Sequence, residues 1–148
     1  MNKKFFILKL FFIGHFLMLN CSSWATPINK TTADGLGHNS VQHVYAAYNT
    51  VYAATIHGLS ISTNRGNTFI NKTTRDGLGH DNVQSVHTIG TIVYAATWGG
   101  LSISIDSGNI FINKTTECGL GSNLVYGVYA EDDTVYAATE NGLSILTS

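Results

Sequence analysis

Ile70-Asn71-Lys72-Thr73-Thr74 opens the segment that decides the fold, because almost everything from there to Phe111 occurs more than once. The same five residues start at Ile28 and at Ile112, a period of 42 residues. Val-Tyr-Ala-Ala-Thr recurs in phase from Val51, Val93 and Val135, and Gly-Leu-Ser-Ile from Gly58, Gly100 and Gly142. Units repeated at this length bury their apolar faces against one another, so the chain reads as an array of one supersecondary unit. The copies span about 27–68, 69–110 and 111–148.

Within one copy the runs are short and β-prone. Val41 to Ala47 is followed by a tight turn at Tyr48-Asn49, then by Thr50 to Thr55, a turn at Ile56-His57-Gly58, and Leu59 to Thr63. Thr68 to Thr74 supplies the fourth run, and Ile28 to Thr32 is its counterpart at the start. β-branched and aromatic runs punctuated by Gly and Asn predict antiparallel meanders, and no segment keeps a 3.6-residue apolar period. Val51, Ala53 and Thr55 alternate with Tyr52 and Ala54, so both faces are apolar or small and both need cover. Four strands per 42 residues, stacked face to face, describe the blades of an all-β propeller. The expected fold is three four-stranded blades, with Val41 to Ala47 innermost.

Two turns carry a family resemblance. Ser62-Thr63-Asn64-Arg65-Gly66-Asn67-Thr68-Phe69 and Ser104-Ile105-Asp106-Ser107-Gly108-Asn109-Ile110-Phe111 resemble the Asp-box, Ser-x-Asp-x-Gly-x-x-aromatic, with Asn64 standing where the motif has Asp. In Asp-box (BNR-repeat) propellers that motif turns the third strand into the fourth, so Ser62, Asn64, Gly66, Phe69, Ser104, Asp106, Gly108 and Phe111 are expected to be structural. Asp76-Gly77-Leu78-Gly79 through Val83, then Val93 to Thr97 and Gly100-Leu101, also resembles the sensor-propeller repeat of two-component regulators.

Residues 1–25 read as a secretory signal peptide: Lys3 and Lys4, an apolar run to Leu19, and Ser23-Trp24-Ala25 before a cleavage site. That run is shorter than the roughly 20 residues of a membrane span. A lipoprotein reading on Cys21 is weaker, with Asn20 a poor residue before a lipidated cysteine. The domain is then 26–148, in the periplasm or outside the cell. It keeps five Lys/Arg against nine Asp/Glu, a net charge of −4, and holds no basic stripe for nucleic acid. Cys118 alone remains, so no internal disulfide framework is expected.

Strand parity sends the connections 33–40, 75–82 and 117–124 to the rim that carries the turns at His57, Trp98 and Glu140. Ligand-binding candidates there are Asp34, His38, Asp76, His80 and Trp98. Each has a plainer reading. His38 and His80 are matched by Ser122 in the third copy, and no Cys or carboxylate set accompanies them at ligand spacing, so no metal is expected. Asp34 and Asp76, matched by Cys118, precede Gly as turn residues do. Trp98 stands where the other copies have Ile56 and Glu140, either as a stacking platform or as packing over a blade edge.

No cofactor motif is present, and a sialidase-like hydrolase finds little support, because only Arg65 and Arg75 are available to hold a carboxylate. The expectation is an exported, non-enzymatic module that binds a glycan or an extracytoplasmic protein. The alternatives are a structural or truncated propeller fragment with no ligand, and a glycan-processing hydrolase subunit. Three blades in an arc leave two faces of roughly 500–600 Å² each, above what soluble monomers expose. Ring closure by a second copy, six blades in all with terminal strands exchanged, is therefore expected.

Overall fold

The computed structural model of the protein describes residues 26–147. Three antiparallel sheets follow one another along the chain, each taking three strands from one copy, and the first two taking a fourth from the start of the next copy. Sheet 1 comprises β1 (Val41–Ala47), β2 (Thr50–Thr55), β3 (Gly58–Ser62) and β4 (Ile70–Lys72), hydrogen-bonded in that order. Sheet 2 repeats it with β5 (Val83–Ile89), β6 (Ile92–Thr97), β7 (Gly100–Ser104) and β8 (Ile112–Lys114). Sheet 3 has three strands, β9 (Val125–Glu131), β10 (Thr134–Thr139) and β11 (Gly142–Thr147). The inner strands pack in series, β1 on β5 and β5 on β9.

The register follows from the turns. β1 and β2 are joined by two residues, so Ala47 faces Thr50 and Tyr45 faces Tyr52. A register shift between Val41 and His43 recurs between Val83 and Ser85, an extra residue that bends each inner strand as a bulge does. The invariant Val-Tyr-Ala-Ala-Thr strand sits in the middle of each sheet. In sheet 2, walled on both sides, Val93, Tyr94, Ala95, Ala96 and Thr97 are all buried.

Two cores result. Between sheets 1 and 2, Tyr52, Leu59 and Ile61 meet Leu78, Val83, Val86 and Phe111. Between sheets 2 and 3, Tyr94 and Leu101 meet Leu120, Val125, Val128 and Val135. Alanines at 54 and 96, fully buried, are what let neighbouring sheets approach closely.

Two expectations need correction. Ile28 to Thr32 forms no strand: 26–31 have no sheet partner, and a 3-10 turn occupies Thr32–Asp34. The fourth strand is shorter than Thr68 to Thr74, reduced to Ile70–Lys72. The cause is local. Thr73 caps the 3-10 turn Thr74–Asp76, its hydroxyl accepting from the Arg75 N–H while the Asp76 carboxylate accepts from the Thr73 N–H, and this capping box ends the strand. The signal-peptide reading of 1–25 lies outside the described residues.

Candidate functional site

On one rim, each connection into an inner strand meets the turn between the second and third strands. The His38 and His57 rings lie edge to face with centroids 4.8 Å apart, and His80 and Trp98 lie 6.1 Å apart at a tilt. In the third copy Ser122 Oγ donates to a Glu140 carboxylate oxygen at 3.4 Å. Backbone bonds fix the pairing, Trp98 N–H to Asn82 O at 3.2 Å and Glu140 N–H to Leu124 O at 3.0 Å. Trp98 keeps 46% of its surface exposed.

The two loop histidines are themselves turn formers. His38 Nδ1 accepts the Ser40 N–H at 2.8 Å and His80 Nδ1 accepts the Asn82 N–H at 2.9 Å, with Ser122 Oγ taking the same role for Leu124. With Nδ1 engaged as the acceptor, Nε2 is the ring nitrogen left to donate.

Asp34 and Asp76 do not join them. Asp34 O accepts the Phe69 N–H and Asp76 O the Phe111 N–H, at the far end of the long turns. Asp34 Oδ2 accepts the Thr31 N–H at 2.9 Å while Lys30 Nζ sits 3.2 Å from Oδ1, and these two bonds hold its carboxyl below the usual carboxylate range. Lys72 and Asp76 repeat the pair at 3.5 Å. Parity alone placed the whole connection on one rim. Its first half instead climbs the sheet flank, so these carboxylates build the loop.

The long turns form one network twice. Ser104 Oγ accepts from the Gly108 N–H at 2.9 Å and bonds Asp106 Oδ1, which also accepts the Asn109 and Ile110 N–H groups at 3.0 and 3.1 Å. Those bonds, the serine first, lower the Asp106 pKa. In the first copy Asn64 Oδ1 takes the Ser62 hydroxyl and the Thr68 N–H at 2.8 and 3.0 Å, and Gly66 N–H reaches Ser62 Oγ at 2.8 Å. An amide oxygen thus does the work of the carboxylate. Phe111 closes its turn from within the first core, while Phe69 is half-buried.

Two features escaped the sequence reading. Asn71 and Asn113 are latches: Ser60 Oγ donates to Asn71 Oδ1 at 2.9 Å, Asn71 Nδ2 donates to His57 O at 2.7 Å, and Gly37 N–H donates to Ser60 Oγ at 2.9 Å. Ser102, Asn113, Gly99 and Gly79 repeat this with nearly equal distances. The second feature runs along the inner strands, where His43, Ser85 and His87 accept N–H groups of Val86, Val128 and Ala130 from the next strand. Tyr45, His87 and Tyr129, each 42 residues apart, stack with centroids at 4.8 and 4.7 Å. The matched spacing was the available signal.

Shallow clefts open between sheets at the opposite rim. One of about 480 Å³ is walled by Ile92, Ile103, Val135 and Leu146, with Lys114, Asp132 and Asp133 at its mouth. Among the described residues no three His, Cys, Asp or Glu side chains gather as a metal site, and no helix is long and apolar enough to cross a membrane.

The copies differ in a patterned way. Residues 51–55 and 58–61 are unchanged in all three, and so are 28–32 and 35–37. Change concentrates at 38–40, 56 and 57 on the rim, and at 42, 43 and 45–50 along the inner strand and its turn.

No protein-family profile matches the chain, and no curated protein does. Solved structures do. The extracellular domain of BT3049 from B. thetaiotaomicron, assigned to a hybrid two component system, superposes with a TM-score of 0.65 at 20% identity, over 76% of this chain and 17% of that one. YCF48 bound to D1 peptide gives 0.58 at 14% identity, over 72% and 37%, and an ancestral GH74 enzyme 0.56 at 20%, over 74% and 17%. These neighbours are β-propeller folds. The three sheets are propeller blades. At such identities the likeness carries the fold alone, and the chain spans less than two thirds of each neighbour. Blades 1, 2 and 3 denote the sheets from here on.

Proposed function

We propose that this chain is an exported, non-enzymatic β-propeller module that binds a glycan or an extracytoplasmic protein on the rim of His38, His57, His80 and Trp98. One observation carries the reading: on a frame of repeated second and third strands, the side chains that meet on this rim differ from blade to blade, as a histidine pair, a histidine–tryptophan pair and a serine–glutamate pair. A purely structural array needs no such variety at an exposed edge. An indole flanked by an Nε2–H donor offers a stacking face and a hydrogen bond, the combination suited to a sugar ring or to a peptide aromatic. Asp34 and Asp76 belong to this reading only as the supports of the loops that carry His38 and His80.

We assign the turns Ser62–Phe69 and Ser104–Phe111 to the Asp-box type, a reading supported by the shared serine–Asp/Asn network. Export through cleavage after Ala25 rests on the sequence of residues 1–25 and is tested by N-terminal sequencing of the processed protein.

The 26–148 polypeptide contains Trp98 as its one tryptophan, so ligand capture is read directly by its fluorescence. Hits from a glycan array and a peptide panel should quench or blue-shift the emission, and Trp98→Ala, which keeps no tryptophan and is therefore followed by calorimetry, should weaken binding at least tenfold. A ligand bound equally well by Trp98→Ala and by the His38/His80 double alanine variant would overturn the rim as the site.

A further inference from the structure

We propose that a second copy of this chain closes the ring, each copy lending residues 28–30 as the outer strand of the other's third blade. The proposal is independent of the ligand reading and rests on self-complementarity between the two ends of the arc.

The outward faces of blades 1 and 3 are repeats of surfaces that already pack together twice. Tyr52, Leu59 and Ile61 of blade 1 are buried against blade 2. Their equivalents on blade 3 are Tyr136, Leu143 and Ile145, of which Leu143 and Ile145 are 63% and 58% exposed. On the receiving side Val83 and Val86 of blade 2 are buried, and so is Val125 of blade 3. Their equivalents on blade 1 are Val41 and Val44, the latter 57% exposed. Each exposed face therefore bears the side chains for which the other is already shaped. Two such heterologous contacts close a ring rather than grow a fibre only if the blade number fits. Two copies give six blades, within the range of about four to eight, whereas three would give nine.

Polar half-sites say where the strand goes. Ser144 Oγ accepts the Gly121 N–H at 2.9 Å, as Ser60 and Ser102 accept from Gly37 and Gly79, yet among the described residues no amide side chain bonds Ser144 as Asn71 and Asn113 bond the other two. Asn29, the repeat equivalent of both asparagines, is exposed. Lys30 Nζ donates to Asn67 O at 3.1 Å, as Lys72 Nζ donates to Asn109 O at 3.1 Å. Residues 28–30 thus already lie against blade 1 as β4 lies against blade 2, in the position of a preceding blade's outer strand. From the pairing of Ile61 with Ile70, Ser60 with Asn71 and Leu59 with Lys72, the intermolecular register is Ile145 with Ile28, Ser144 with Asn29 and Leu143 with Lys30. Pro27 then takes the place of Phe69 and Phe111, filling the cleft beside Ile103 and Leu146. It lacks an N–H, which leaves the carbonyl of exposed Cys118 to water.

The 26–148 polypeptide with Cys118→Ser is tested by light scattering at about 10 µM, where a stable ring is populated. A mass twice that of the monomer is expected. Asn29→Cys with Ser144→Cys should then cross-link two chains under oxidation, while the off-register pair Asn29→Cys with Leu146→Cys should not. Ile145→Lys should abolish the dimer, leaving monomer or unfolded chain; because misfolding alone could do this, the cross-link decides. A folded monomer, an open series of larger species, or a dimer that fails to cross-link in register would each overturn the proposal.

Discussion

His87 Nδ1 accepts the backbone N–H of Ala130 at 3.3 Å, so an imidazole of one inner strand closes the hydrogen-bonding edge of the next. His43 does the same for Val86 at 3.4 Å. Edge N–H groups left open invite pairing with other chains, and these side chains cover them from within the array. Only a neutral ring can accept at Nδ1. Burial first, and the nearby His43 second, push the His87 pKa below the usual 6.5.

The sign of the resulting pH dependence follows. The unfolded chain binds the proton more readily than the folded one, so stability from His87 is complete above pH 6.5 and lost as the pH falls through the folded value. Urea midpoints should drop between pH 7 and pH 5, and His87→Phe, which can still lie between Tyr45 and Tyr129, should flatten that slope. An unchanged slope in the variant would remove His87 as its source.

Asn71→Ala removes an acceptor from the buried Ser60 hydroxyl and a donor from the His57 carbonyl. The expected loss is about 1–3 kcal/mol, the cost of leaving such groups unpaired. Asn113→Ala should behave alike because its network is the same. Asn71→Asp keeps the oxygen but not the N–H donor, so it should recover only part of the loss in denaturant titrations.

Asp106→Asn should leave thermal stability at pH 7 nearly unchanged, since Asn64 already fills the matched position and its Oδ1 keeps two of the three contacts, the serine hydroxyl and the N–H four residues on. Its effect belongs to acid. Asp106 has a pKa lowered from 3.8, so its contribution is present above that value and lost as pH falls through the folded one. The variant should therefore unfold less steeply below about pH 4 than the parent chain. Melting curves from pH 2 to 7 check this.

β1 and β2 were legible to the residue, because a two-residue turn between β-branched runs leaves no other register. Ile28 to Thr32 forms no strand within the single chain because strand propensity is realised only beside a partner, and the same Ile-Asn-Lys pairs at 70–72 and 112–114 but not at 28–30. The placement of the rim side chains was legible at Trp98, which the sequence puts in the turn where the structure has it, between β6 and β7. It was not legible at Asp34, whose position depends on a capping box that turns the chain along the flank instead of over the rim. Nor were the His43 and His87 caps readable from one copy, since they depend on how adjacent blades meet.

Trp98 separates recognition from packing. Its backbone N–H is held by Asn82 O, so the turn is fixed without the side chain, and the indole lies tilted beside His80 with nearly half its surface exposed. A partly exposed ring in this setting contributes little to stability, within about 1 kcal/mol of neutral when removed. Trp98→Ala should therefore melt within a few degrees of the parent, roughly the shift that 1 kcal/mol produces in a domain of this size. In the parent chain, iodide should quench the Trp98 emission efficiently, and bound ligand should protect it. A melting temperature lowered by ten degrees or more, together with emission shielded from iodide before any ligand is added, would make Trp98 a packing residue and move the search for the binding surface to the histidine pair at His38 and His57.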